Sequence, residues 1–289
     1  MAIIADEYQR KTLAKILSEG YMDENPRPKY ADGTPAHTLS INHNVQTYDL
    51  SKGEFPIQTL RPQAWKSAVK EILWIYQMQS NKLSDLHDMG IKYWDEWDIG
   101  DGTIGCRYGA TVKRHDLMNK LLKGLERDPF GRRHIMNMWQ EDDFDDKTGG
   151  TTKGLNPCCY ETIWNVRKGQ DGKQYLDMLM NQRSSDYIVS NSINELQYVA
   201  LQLMVAKHLG IEPGRFTHMA ENVQIYDRHI EQAKELIERK SVECEPKLVL
   251  DVENGTNFYD IKFEDFKMVD FPLDKIKEQN PQQQFDLGI

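Results

Sequence analysis

The sequence predicts a mixed α/β (α+β) fold, with one large twisted sheet and a long central helix. Three observations carry this. Residues 194–209 are mostly apolar, as in a helix buried on all sides. Tyr160–Val166 and Tyr175–Gln182 are strand-like runs joined by Lys168-Gly169-Gln170-Asp171-Gly172, which reads as a hairpin. Thr38–Asp49 and Phe216–Tyr226 have the pattern of two further strands.

The remaining elements follow in chain order. Tyr8, Leu13, Ile16 and Leu17 fall at helical spacing over residues 6–19, and Gly20 stops that helix. Met22 to Thr38 is rich in Pro, Asp and Gly and reads as a loop. Residues 64–79 place Trp65, Val69, Ile72, Leu73 and Tyr76 on one side of a helix, with Glu71 among them. A carboxylate there is costly unless it is hydrogen-bonded or functional. Tyr93-Trp94-Asp95-Glu96-Trp97 is a dense aromatic cluster before the turn Gly100-Asp101-Gly102. A helix over 115–126 ends at Asp128-Pro129, and Arg132-Arg133 follows. Glu141 to Gly154 reads as a surface loop, residues 228–239 as a charged amphipathic helix, and Lys247–Val252 and Phe258–Phe271 as β structure. The polar tail from Gln279 to Ile289 is expected to stay mobile until substrate binds. No internal repeat is visible, and residues 1–289 are read as a single catalytic domain.

Composition narrows the function. The 289 residues carry a net charge of −9, which argues against a general nucleic-acid-binding surface while leaving room for a local arginine cluster. No apolar run approaches the roughly 20 residues of a membrane span, and the first residues do not resemble a signal peptide. The four cysteines, Cys106, Cys158, Cys159 and Cys244, fit neither a disulfide framework nor a zinc site. Free thiols in a reducing cytoplasm, or a host's cytoplasm for a viral protein, are the plain expectation, with no metal.

The chemistry concentrates in two stretches. Asn156-Pro157-Cys158-Cys159-Tyr160-Glu161-Thr162 places a cysteine before a strand. Asn181-Gln182-Arg183-Ser184-Ser185-Asp186 follows a second strand about twenty-five residues later. A thiol is a poor nucleophile until it ionises, and a nearby guanidinium favours the thiolate. Arginine is also a preferred phosphate ligand. Together they suggest a phosphorylated substrate attacked by a thiolate. If Cys158 and Cys159 are extended, their side chains point to opposite faces, so only one can be the nucleophile.

These residues resemble the signature set of the thymidylate synthase family. Pro157-Cys158, Gln182-Arg183-Ser184-x-Asp186 and Asp128-Pro129-x-x-Arg132-Arg133 match it. So do Asp32-Gly33-Thr34-Pro35-Ala36-His37-Thr38-Leu39-Ser40, Trp65-Lys66, Glu71-Ile72-Leu73-Trp74, Trp94-Asp95-Glu96-Trp97 and Tyr108-Gly109. They occur in family order from about residue 8 to about residue 270. The resemblance implies that family's fold, dUMP as substrate, and 5,10-methylenetetrahydrofolate as cosubstrate. It makes Cys158 the nucleophile, Glu71 an organiser of water and proton transfers, and Tyr108 a neighbour of pyrimidine C5. Arg183, Arg132, Arg133 and the Ser184 hydroxyl would bind the 5′-phosphate, with Arg132 and Arg133 reaching the other subunit of a homodimer. Asn194 would read uracil, Gln182 would join the substrate site, and Gln224 and Tyr226 would meet the deoxyribose. Trp94, Trp97 and Asp186 would meet the pterin. The spacing leaves open whether Arg27 is the family's loop phosphate ligand or a solvated arginine.

There are departures. The family's Gly-Leu-Pro-Phe before the asparagine is Ser190-Asn191-Ser192-Ile193 here, its histidine after the nucleophile is Cys159, and its ribose histidine is Gln224. The ending Phe285-Asp286-Leu287-Gly288-Ile289 also differs. The altered folate side keeps a second reading open, a pyrimidine nucleotide hydroxymethylase in which water replaces the hydride.

Overall fold

A computed structural model of the chain describes residues 3–144 and 154–288. Its centre is a six-stranded mixed sheet in the order β1-β2-β6-β5-β4-β3. The strands are β1 (Tyr21–Met22), β2 (Thr38–Asp49), β3 (His134–Asn137), β4 (Cys159–Lys168), β5 (Gln174–Asp186) and β6 (Glu212–Tyr226). All neighbours are antiparallel except β5 and β6. Parallel neighbours need a crossover connection, and an apolar helix is the usual one. Here it is α7 (Asn191–Leu209), which packs on β5, β6 and α2 (Trp65–Ile72). It buries residues on every side, as its sequence requires.

Around this core lie α1 (Ile4–Glu19), α3 (Leu83–Asp88), α4 (Gly109–Arg114), α5 (Leu117–Arg127), α6 (Glu141–Phe144), α8 (Ile230–Glu238) and α9 (Leu273–Gln279). A separate ribbon pairs β7 (Lys247–Leu250) with β8 (Phe266–Val269). α1 packs on β2 and α8, and its buried Asp6 accepts the Thr59 backbone N–H at 2.7 Å and the Thr59 hydroxyl at 2.6 Å.

Several expectations are corrected. The helix expected over 64–79 is α-helical only to Ile72 and continues as a π turn over Leu73–Gln77. The alternation around Tyr259–Phe263 is not a strand. It is two 3₁₀ turns, Phe258–Asp260 and Phe263–Asp265, held by the Gln77 amide on the Phe258 and Ile261 carbonyls at 2.8 and 2.7 Å. Glu141–Phe144 is helical rather than loop, because Asp143 is drawn inside to accept from Thr111 and Arg114, each at 2.6 Å. The rest of that expected loop, residues 145–153, lies outside the described residues. α7 begins three residues early, so Asn191-Ser192-Ile193 is its first turn.

The tail is docked against the protein rather than detached from it. Phe285 lies under the Arg61 guanidinium at 5.5 Å and edge-on to His229 at 5.1 Å. Asp286 pairs with Arg228 at 3.0 Å, and the Gly288 carbonyl accepts from Tyr226 at 3.1 Å. Gly288 must be glycine for this approach: a Cβ there would stand 2.5 Å from the Tyr226 ring and 2.8 Å from the Ala36 Cβ.

Candidate active site

Cys158 ends the segment before β4, and Arg183 is near the end of β5. The Arg183 backbone N–H donates to the Cys158 carbonyl at 2.9 Å, which stitches the two segments together. The Arg183 guanidinium donates to the Pro157 carbonyl at 3.0 Å and the Asn156 carbonyl at 2.9 Å. Its Nη2 stands 3.6 Å from the Cys158 Sγ, and Trp139 covers the guanidinium at 5.7 Å. Cys158 is half-buried, while Cys159 is buried with its carbonyl accepting from Tyr198 at 3.2 Å. Only Cys158 is therefore open to a ligand. The expectation that Arg183 ionises the thiol needs one correction. Burial pushes the Cys158 thiol up, and the Arg183 charge and the Tyr108 hydroxyl pull it back without overcoming burial.

Tyr108 accepts the Cys158 backbone N–H at 3.0 Å. Its own backbone sits at φ 49°, a left-handed conformation uncommon for a bulky residue. Behind it lies an aromatic stack: Tyr108 meets Trp94 at 5.2 Å, and Trp94 meets Trp97 at 5.3 Å and Trp74 at 5.7 Å. Trp94 is only 5% exposed and belongs to the core; Trp97 is the one of the pair with a partly open face. Glu71 is buried nearby and accepts from the Tyr93 hydroxyl. Burial raises its proton affinity, opposed by Tyr93, Trp94 and Gln197. That places a carboxyl with a raised affinity for its proton at the edge of the site.

On α7, Asn194 donates through Nδ2 to Gln197 Oε1 at 3.0 Å and accepts from Gln182 Nε2 at 3.2 Å. One N–H and one lone pair of its amide remain for a ligand. Asp186 closes β5. Its carboxylate accepts the Val189 N–H at 3.1 Å, and burial pushes it up to about 6 despite that bond and the nearby Arg61 charge. The parallel register sets Ser184 against Asn222 and Asp186 against Gln224, and Gln224 faces Ser40 on β2. Tyr226 feels the charges of Asp186, Arg27 and Cys158, so these groups share one neighbourhood; burial raises its hydroxyl to about 12. Arg27 is exposed there. Arg132 and Arg133 are not part of this cluster. They precede β3, where His134 pairs with Trp164 and Asn137 with Glu161. At about 3.3 Å per residue that is roughly 20 Å along β4 from Cys158.

A half-buried cysteine under an arginine, a buried carboxyl, and an asparagine on a central helix thus converge at one end of β5. The thymidylate synthase family profile matches residues 6–280. The chain belongs to the thymidylate synthase family. It is 50% identical over 286 residues to the thymidylate synthase of Lactococcus lactis subsp. cremoris strain SK11, covering 99% of each chain. It is likewise 50% identical over 287 residues to that of Streptococcus pneumoniae strain 70585, again with 99% of each covered. Thermostable thymidylate synthase A from Bacillus subtilis superposes with a TM-score of 0.86 at 34% identity, covering 99% of both chains.

Against that family pattern, the departures have partners. The Ser190 hydroxyl donates to the Asp186 carbonyl at 3.1 Å, and the Asn191 and Ser192 side chains are buried. Gln224 keeps its place in register beside Asp186. Sequence reasoning missed Tyr93, Arg61, Gln197, Glu195 and His218. Glu195 in an otherwise apolar helix was the visible signal for the last two.

Proposed function

We propose that Cys158 is the nucleophile of a thymidylate synthase reaction, which methylates dUMP to dTMP. Placement of a half-buried thiol 3.6 Å from the Arg183 guanidinium carries this reading. The thiolate adds to uracil C6, and the electron pair of the C5–C6 bond moves toward O4, leaving C5 nucleophilic. Methylenetetrahydrofolate supplies the one-carbon unit and the hydride, ending as dihydrofolate. The half-open Trp97 face and the high-lying Asp186 carboxyl suit a flat, polar-edged ring. Glu71, raised by burial, is suited to hold and pass protons through ordered water. Tyr108 fixes the Cys158 backbone and lies beside the reacting carbon.

Asn194 reads the base, donating to O4 and accepting from N3–H. Arg183, Ser184 and Arg27 take the 5′-phosphate, while Gln224 and Tyr226 take the deoxyribose. Arg132 and Arg133 are too far along β4 to serve their own Cys158. That distance supports a homodimer in which they reach the other subunit's phosphate site. Among the described residues no helix is long and apolar enough to cross a membrane. A reducing cytoplasm suits the four free thiols.

The hydroxymethylase reading is not favoured, since the full-length relatives are named thymidylate synthase. Incubating the protein with dUMP and methylenetetrahydrofolate, and weighing the nucleotide, is the test. Dihydrofolate formed in step with dTMP is expected; a hydroxymethylated nucleotide with unoxidised tetrahydrofolate would refute it. Sedimentation should find a dimer at micromolar concentration, and an active monomer would remove the role given to Arg132 and Arg133.

A further inference from the structure

Behind Asn194 runs a buried polar chain. Gln182 donates through Nε2 to both the Ser184 carbonyl at 2.9 Å and Asn194 Oδ1 at 3.2 Å. Its Oε1 faces His218 Nε2 at 2.9 Å, and His218 Nδ1 faces Glu195 Oε1 at 3.0 Å. Glu195 Oε2 accepts from the Tyr48 hydroxyl at 3.2 Å. Burial and the Glu195 charge keep the Tyr48 proton in place, so Tyr48 is the donor. Gln182, His218, Glu195 and Tyr48 are each at most 2% exposed.

Hydrogen-bond polarity determines the rest. The Ser184 carbonyl can only accept, so the Gln182 nitrogen must face it. The Gln182 oxygen must then face His218, which requires an N–H on Nε2. Glu195 as a carboxylate also only accepts, which requires an N–H on Nδ1. Both conditions hold together only if His218 is the imidazolium. A buried carboxylate–imidazolium pair is tolerated where both members are fully hydrogen-bonded, as here.

We infer that the Glu195–His218 pair is a positioning and specificity device: it fixes the direction of the Gln182 amide, and through it the donor and acceptor order that Asn194 presents to the base. With the chain intact, the Asn194 Oδ1 and Nδ2 cannot exchange places without setting nitrogen against nitrogen at Gln182 and oxygen against oxygen at Gln197. An amide free to turn would offer a cytosine ring the complementary pattern. The pair thereby sets uracil over cytosine from positions that do not touch the nucleotide. This inference rests on the base-reading role of Asn194.

Two measurements test it. The first is kcat/KM for dUMP and for dCMP in the wild type and in His218→Phe, which keeps a planar ring and removes both nitrogens. The dUMP:dCMP ratio is expected to fall about tenfold, in line with the net worth of a single intramolecular hydrogen bond. A simple packing role would lower both rates together and leave the ratio unchanged, which would overturn the inference. A wild type with no preference for dUMP would instead defeat the role of Asn194 itself. The second is ¹⁵N NMR of histidine-labelled protein, with the His218 signals identified by their loss in His218→Gln, which keeps a polar side chain beside Gln182. Both ring nitrogens should carry protons at neutral pH in the wild type, and one should lose its proton in Glu195→Gln. A neutral His218 in the wild type, or an imidazolium that survives in Glu195→Gln, would overturn it, including in the event that His218→Phe does not fold.

Discussion

Replacing Arg183 by Gln should make Cys158 markedly less reactive, and the structure sets the scale. The guanidinium nitrogen lies 3.6 Å from the sulfur. At an effective dielectric of about 20, a full charge at that distance favours the thiolate by about 5 kcal/mol. Charge delocalisation over the guanidinium and the half-open position of the thiol reduce this to roughly 1.5–3 kcal/mol. Burial already holds the thiol above its ordinary value, so Arg183 is the principal opposing influence, with Tyr108 second. The assay is alkylation of Cys158 by iodoacetamide as a function of pH, read at the peptide by mass spectrometry. Below both pKa values the thiolate fraction falls tenfold per unit, so Arg183→Gln should react about 10–100-fold more slowly at neutral pH. Arg183→Lys should fall between, because it keeps the charge and loses the fork that holds the Asn156 and Pro157 carbonyls. Superimposable pH–rate curves for the wild type and Arg183→Gln would refute the electrostatic account.

Cys158→Ser should remove nearly all turnover, whereas Cys159→Ala should keep most of it and lose about 1–2 kcal/mol of stability from a small buried cavity; turnover and urea titrations on both variants decide this, and the reverse activity pattern would exchange their roles. Asn194→Asp should shift preference from dUMP toward dCMP, because a protonated carboxyl can offer cytosine a matching donor and acceptor; unchanged selectivity in competition between the two nucleotides would count against it. Asp186→Asn should stabilise the protein at pH 7.5 by about 1–2 kcal/mol and leave it unchanged at pH 4. The folded carboxyl titrates at about 6, above an unfolded aspartate, so the native state binds the proton more tightly and stability falls as pH rises between about 4 and 6. Denaturant midpoints at the two pH values check this, and a variant no more stable than wild type at pH 7.5 would contradict it.

The sheet strands and the central helix were legible because their burial leaves a direct pattern: alternation in β2, β5 and β6, and a mostly apolar run in α7. Local pattern failed where a distant group decides the conformation. Tyr259-Asp260-Ile261-Lys262-Phe263 alternates like a strand, yet the distant Gln77 amide captures the Phe258 and Ile261 carbonyls. In the site, Cys158 and Arg183 stood out because their types announce chemistry, while Asn194 stood out only through the family resemblance. Glu195 and His218 did not, because each is ordinary alone and meaningful only when α7 lies over β6. Trp94 was expected to face a ligand, and the stack with Trp74, Trp97 and Tyr108 draws it into the core instead.

The polar first turn of α7 shows how a sequence departure is absorbed by its surroundings. Buried amides and hydroxyls are costly only when unpaired. Asn191 accepts from Ser185 at 2.9 Å and donates to Gln46 at 3.4 Å. Ser192 accepts from Gln58 through its hydroxyl and from Gln63 through its carbonyl, each at 3.0 Å. Two glutamines, Gln46 on β2 and Gln58 in the loop after it, thus serve side chains that an apolar turn would lack, while Gln63 holds a backbone carbonyl. The Ser190 hydroxyl is turned back onto the Asp186 carbonyl. All three polar side chains are therefore engaged with the protein, and none is left to draw water toward the reacting carbon. Hydride transfer needs that carbon kept dry, so a change that looked in sequence like an opening for water is, in the folded chain, compatible with dTMP as the product.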